Sequence, residues 1–75
     1  MTVVSTRALL REPCRAAAAD AAALGHRLHP FRIELRRAST ACAFCGALAH
    51  LYLTVEGELE RSGAAFSDAC QRNRH

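Results

Sequence analysis

The chain has 75 residues and a formal net charge of +3, and its hydrophobic fraction of 51% is inflated by alanine, which supplies 16 of the 38 residues counted. That length holds one small domain and leaves no room for a second core, and no apolar run approaches the roughly 18 to 20 residues that span a membrane as a helix. Such a chain buries only about 60% of its unfolded surface, and with 18 larger apolar residues and no tryptophan its core needs a supplement.

Charge is uneven along the chain. All ten cationic residues are arginine. Residues 1–40 carry seven of them against Glu12, Asp20 and Glu34, a balance of +4; residues 41–75 carry Arg61, Arg72 and Arg74 against Glu56, Glu58, Glu60 and Asp68, a balance of −1. In Met1–Leu10 no basic residue precedes Arg7, and Arg7, Arg11, Arg15 and Asp20 interrupt every apolar stretch. A secretory leader has a basic start and an unbroken apolar core, so the segment does not fit one. A cytoplasmic setting is the default expectation, and there four cysteines point to metal ligands or thiols before disulfides.

Pro13 suits the first turn of a helix, Cys14–Leu24 is nearly all alanine, and Gly25 supplies a C-cap. The spacing predicts a helix over 13–24 with an apolar stripe of Cys14, Ala17, Ala21 and Leu24. From Phe31 the texture becomes β: Phe31, Ile33 and Leu35 alternate with Arg32, Glu34 and Arg36. Residues 37–39 read as a turn and 40–42 as a short returning strand. Residues 47–55 read as the central strand, broken at Glu56-Gly57 into a hairpin whose return, 58–61, points Leu59 inward. Ser62-Gly63 ends that hairpin, and the polar residues from Gln71 onward form a frayed tail.

The sharpest signal is Cys42-Ala43-Phe44-Cys45-Gly46. Two cysteines three apart can grip one tetrahedral ion from a tight turn, with sulfurs about 2.3 Å from zinc. The glycine permits a positive φ that turns backbone N–H groups toward the thiolates. A structural site needs four ligands. Cys70 is the natural third, since the hairpin carries the chain away and back. The fourth is open among Cys14, His26, His29, His50 and His75. Cys14 and His26 lie at opposite ends of the predicted helix, about 18 Å apart at 1.5 Å per residue, so only one of them serves. His26, on the turn after Gly25, ranks first and His29 second, ahead of Cys14 and His75; His50 sits mid-strand.

These residues carry a resemblance. Gly25-His26-Arg27-Leu28, Ala41–Gly46 with its CxxCG knuckle, and Ser62-Gly63-Ala64-Ala65 leading to Cys70 resemble small zinc-ribbon-like proteins of actinobacteria and their phages. The resemblance covers about residues 25–70 and implies one structural zinc ion held by His26, Cys42, Cys45 and Cys70. Taken with the helix and strands read above, the fold expected is α+β: an N-terminal helix plus a small antiparallel sheet of zinc-ribbon type, stabilised by that zinc. The layout expected is an extension over 1–12, one domain over 13–70 and a flexible tail over 71–75. The alanine helix and Cys14 lie outside the shared pattern.

Catalysis is not expected. A catalytic zinc keeps an open position, four protein ligands close it, and no phosphate loop, nucleophile elbow or HExxH is present. Two kinds of partner remain. Arg27, Arg32, Arg36 and Arg37, with His29 nearby, form a candidate surface for nucleic acid or a nucleic-acid-associated machine. Phe31, Phe44, Tyr52 and Phe66 are candidate stacking rings that in so small a protein read first as core. The alternative is a protein-interaction adaptor docking through the alanine helix. No small-molecule substrate and no membrane association are expected, and the oligomeric state is not encoded in any motif.

Overall fold

A computed structural model describes residues 6–71. Helix α1 runs Thr6–Ala23, followed by strands β1 (Arg32–Glu34), β2 (Arg37–Ala41), β3 (Leu48–Leu53) and β4 (Leu59–Ser62) and a single 3₁₀ turn, Ala64–Phe66. The strands form one antiparallel sheet in the order β1-β2-β3-β4. The architecture is therefore α+β, one helix laid on one face of a four-stranded meander. Among the described residues no helix is long and apolar enough to cross a membrane.

The helix begins earlier than the proline indicates, and Pro13 lies inside it. A proline there removes one i→i−4 hydrogen bond and crowds the preceding turn, at a cost of about 3 kcal/mol. Leu10 offsets this: it is fully buried, and burying a leucine contributes about 1.5–3 kcal/mol. The predicted stripe holds, with Ala17 and Ala21 fully buried and Cys14 and Leu24 partly so.

The core is built mostly of small residues. Leu10, Ala17, Ala38 and Leu51 form one buried cluster, and Ala21, Ala49 and Ala65 a second, with Phe31 and Phe66 packed against both. Leu10 and Leu51 are the largest fully buried side chains. Alanine on both surfaces lets the helix approach the sheet closely while burying little apolar area.

Two strand details depart from the alternation. The first turn is Leu35–Arg36, so that Glu34 pairs with Arg37, and β2 already occupies residues expected as a turn. Leu35 takes a positive φ of 50° and is 90% exposed, where alternation alone points it inward. A two-residue hairpin demands that backbone at its first position, and the demand overrides the side chain. Leu59 shares the helix-facing side with Leu53, but β4 is an edge strand and the side chain stays 38% exposed. Arg61 closes that margin, its guanidinium 5.1 Å from the Phe66 ring centroid and its Nη1 donating to Asp20 Oδ2 at 2.6 Å. The expected tail lies, beyond Gln71, outside the described residues, as do residues 1–5.

Candidate metal centre

Three local structures deliver four side chains to one point. The helix exit is the first. His26 N–H donates to Ala21 O at 3.0 Å and Gly25 N–H to Ala22 O at 2.9 Å, with Gly25 at φ 87°. This pair of bonds is a Schellman cap, and it fixes the direction in which His26 leaves the helix. The second is the turn from Cys42 to Gly46. Cys42 N–H donates to Ala47 O at 2.8 Å, Gly46 N–H donates to Cys42 O at 2.9 Å, and Gly46 sits at φ 79°. The main chain of the helix exit and this turn are joined where Ala43 N–H donates to Arg27 O at 2.7 Å. The third is the segment after the 3₁₀ turn, where Cys70 N–H donates to Leu24 O at 2.8 Å. One of the orphan carbonyls of the helix terminus thereby anchors Cys70 beside Gly25.

The ligand atoms of His26, Cys42, Cys45 and Cys70 all lie within 4.8 Å of one another. Cys42 Sγ and Cys70 Sγ are 3.9 Å apart, and Cys45 Sγ and His26 Nδ1 are 3.5 Å apart. A tetrahedral zinc with its usual bond lengths sets S···S at about 3.8 Å and S···N at about 3.6 Å. The donor set and these two distances fit such an ion. His26 is buried, and its Nε2 lies 2.5 Å from Asp68 O. A carbonyl only accepts, so Nε2 carries a proton, which leaves Nδ1 as the nitrogen that faces the sulfurs. A carbonyl holding the far nitrogen of a ligating imidazole is the usual means of fixing its tautomer and orientation.

The electrostatics have the same sense. Burial pushes the Cys42 thiol up, but backbone groups of Phe44, Cys45 and Arg27 together with His26 outweigh it and bring Cys42 from its ordinary 9.0 to about 5. The Phe44 N–H donates to Cys42 Sγ at 3.3 Å. Backbone groups at Gln71 and Ala47 hold Cys45 below its ordinary value. For His26, burial favours the neutral ring, yet the Asp68 carbonyl and the thiols of Cys42 and Cys45 outweigh it and raise the pKa. Thiolates readied this way stabilise any cation placed among them, whether a proton on His26 or a metal ion.

Cys14 and His29 are not part of this group. Cys14 borders a surface hollow with Arg11, Phe31 and Ile33, and burial alone pushes its thiol up. His50 is exposed on the outer face of the sheet, and His75 lies outside the described residues. The four candidate arginines do not share one surface. Arg32 and Arg37 lie on the outer face, Arg36 sits in the first turn with Nη1 donating to Thr54 O at 3.0 Å, and Arg27 is exposed at the helix exit. Of the aromatic residues, Phe31 and Phe66 join the core, whereas Phe44 and Tyr52 are exposed. The Asp68 carbonyl escaped sequence reasoning, because a backbone acceptor has no residue-type signature. No family model, curated protein or solved structure matches the chain.

Proposed function

We propose that the protein is a small binding module, without catalytic activity, whose fold is held by one structural zinc ion on His26, Cys42, Cys45 and Cys70. The observation that carries the reading is the convergence of four soft and borderline donors within 4.8 Å of one another. Three thiolates and one imidazole select zinc over the hard cations, which take oxygen ligands. A closed shell of four protein ligands supports a structural ion in preference to a catalytic one. A reduced, cytoplasmic setting and a zinc-ribbon-like ancestry belong to the same proposal.

What such a module touches is a separate matter. The alanine stripe of α1 is occupied by its own sheet, with Ala17 and Ala21 fully buried, which weighs against docking through that helix. Nucleic acid draws support from Arg32 and Arg37, which project from adjacent strands on the outer face, Arg37 directly opposite Tyr52. Glu34 and Glu60 share one row with Arg37 and Tyr52, so the reading put first is contact with protein.

Native mass spectrometry of the reduced protein tests the metal. One zinc per chain is expected in the wild type and in Cys14→Ser. In His26→Ala, Cys42→Ser and Cys70→Ser it is expected to be lost, or held at least tenfold more weakly. A wild type that takes up no metal, or a Cys14→Ser variant that loses it, contradicts the assignment.

A further inference from the structure

The sheet has one face under the helix and one face open. On the open face the ladder aligns two rows. Arg32, Ser39, His50 and Ser62 form one row, and Glu34, Arg37, Tyr52 and Glu60 form the next. All are exposed except Ser39, which is partly so, and Tyr52 keeps 42% of its surface and neighbouring Leu48 52%. Shallow hollows of about 140 and 180 Å³ flank the His50–Tyr52 ridge, one toward β4 and one toward β2. Two guanidiniums and two carboxylates in these rows cancel, which removes the net positive field that phosphate binding requires. Such a pattern is suited to a partner carrying the same charges in the opposite order.

We propose that the partner is a second copy of this chain, packed face to face about a two-fold axis that runs across the strands between the two rows. That operation lays each row over the other row of the mate. Arg32 then meets Glu34 of the second copy, Ser39 meets Arg37, His50 meets Tyr52, and Ser62 meets Glu60. Every position gains an ion pair, a hydrogen bond or an offset ring stack, and each contact occurs twice, as an isologous interface requires. The alternative two-fold, parallel to the strands, sets Glu34 over Glu60 of the mate and is disfavoured by like charge. At about 4.8 Å between strands and 3.3 Å per residue, four strands by five residues present roughly 300 Å² in projection. Corrugated by side chains, two such faces come near the ~1,000 Å² at which specific interfaces begin. The dimer is therefore weak and concentration-dependent. The inference rests on the reading above of a zinc-held module that acts by contact.

Sedimentation equilibrium on the full zinc-loaded chain, from about 1 μM to 1 mM to cover weak interfaces of this size, tests it. The mass is expected to rise from one chain to two with concentration. Arg32→Glu and Glu34→Arg, each placing two like-charge contacts in the dimer, are each expected to weaken it at least tenfold. The double variant Arg32→Glu/Glu34→Arg restores the pairing in reverse and is expected to recover the wild-type constant within about threefold. Far-UV circular dichroism and zinc content, measured on every variant, establish that each is folded. A zinc-loaded wild type that stays monomeric overturns the dimer and leaves the metal reading intact; a dimer formed without zinc supports it while removing the metal reading. Single variants that dimerise as the wild type does, a double variant that stays monomeric, or oligonucleotide binding abolished by the single variants in place of self-association would each overturn it.

Discussion

Gly63 adopts φ 116°, and a Cβ built there meets Leu48 O at 2.1 Å and Leu48 C at 2.7 Å. Both obstacles are backbone of the central strand, so no side-chain rearrangement relieves them. Gly46 offers the contrast: its φ of 79° is equally foreign to an L side chain, yet nothing lies within 4 Å of the added carbon. Gly46→Ala is expected to cost about 1–2 kcal/mol, the conformational penalty alone. Gly63→Ala adds a displaced strand and is expected to cost about 3 kcal/mol or more. Urea denaturation of the zinc-loaded variants measures both, and equal midpoints for the two would show that the close approach of Gly63 to β3 is not limiting. Leu35 is the opposite case, a bulky residue held in the left-handed region with no glycine to relieve it. The hairpin register between Ile33 and Ala38 keeps it there.

At the level of elements, α1 owes its hold on the sheet to few large contacts, and Leu10 is the chief of them. Leu10→Ala is expected to destabilise the zinc-loaded protein by about 2–4 kcal/mol, because alanine neighbours on both sides cannot close the cavity. Its neighbour Leu9 is exposed, and Leu9→Ala is expected to change stability by less than about 0.5 kcal/mol; similar losses for both would place Leu10 outside the core. The body of this helix is legible in its alanine run and in Gly25, since both act locally. Its start is not, because the burial of Leu10 against Ala38 and Leu51 is a tertiary gain that overrides the local preference of Pro13. The first hairpin is misjudged for a similar reason. Arg37 and Ser39 resemble turn residues only until the pairing of β2 with β3 is known. The Cys42–Gly46 turn is legible because two sulfurs three residues apart and a following glycine are a local geometry. His26 ranks ahead of Cys14 in the sequence because it follows the helix-ending Gly25, but the bond from Cys70 N–H to Leu24 O that ties Cys70 to the same end of the helix has no residue-type signature.

For the molecule as a whole, the proposed metal site makes binding and folding one equilibrium. Among the described residues two large side chains are fully buried, which leaves little net stability once conformational entropy is counted. Structural zinc contributes about 10–16 kcal/mol in apparent terms at neutral pH, so the metal-free chain is expected to be largely unfolded. The dependence on pH follows from the thiols. Cys42 ionises at about 5 in the folded chain against 9.0 ordinarily, and Cys45 is shifted in the same direction. A depressed pKa favours the fold fully above the unfolded value, and that contribution is lost as pH falls through the folded one. Within the cluster, His26 has the opposite sign to Cys42 and Cys45. Its raised pKa favours the metal-free fold below 6.5 and ceases to do so as pH rises through the folded value. Bound to a metal through Nδ1, however, the ring is neutral, so acid opposes the metal-loaded fold at His26 as well as at the sulfurs. Stability of the loaded protein should therefore rise with pH up to about 9, the ordinary thiol value, and fall away in acid with release of zinc. Circular dichroism and a chromophoric zinc indicator, followed together during acid titration, should report one transition. Excess chelator at pH 7.5 should produce the same unfolded state. A helix signal that survives chelation, or an acid midpoint unchanged in Cys42→Ser, would separate the fold from the metal and leave the small core to stand without it.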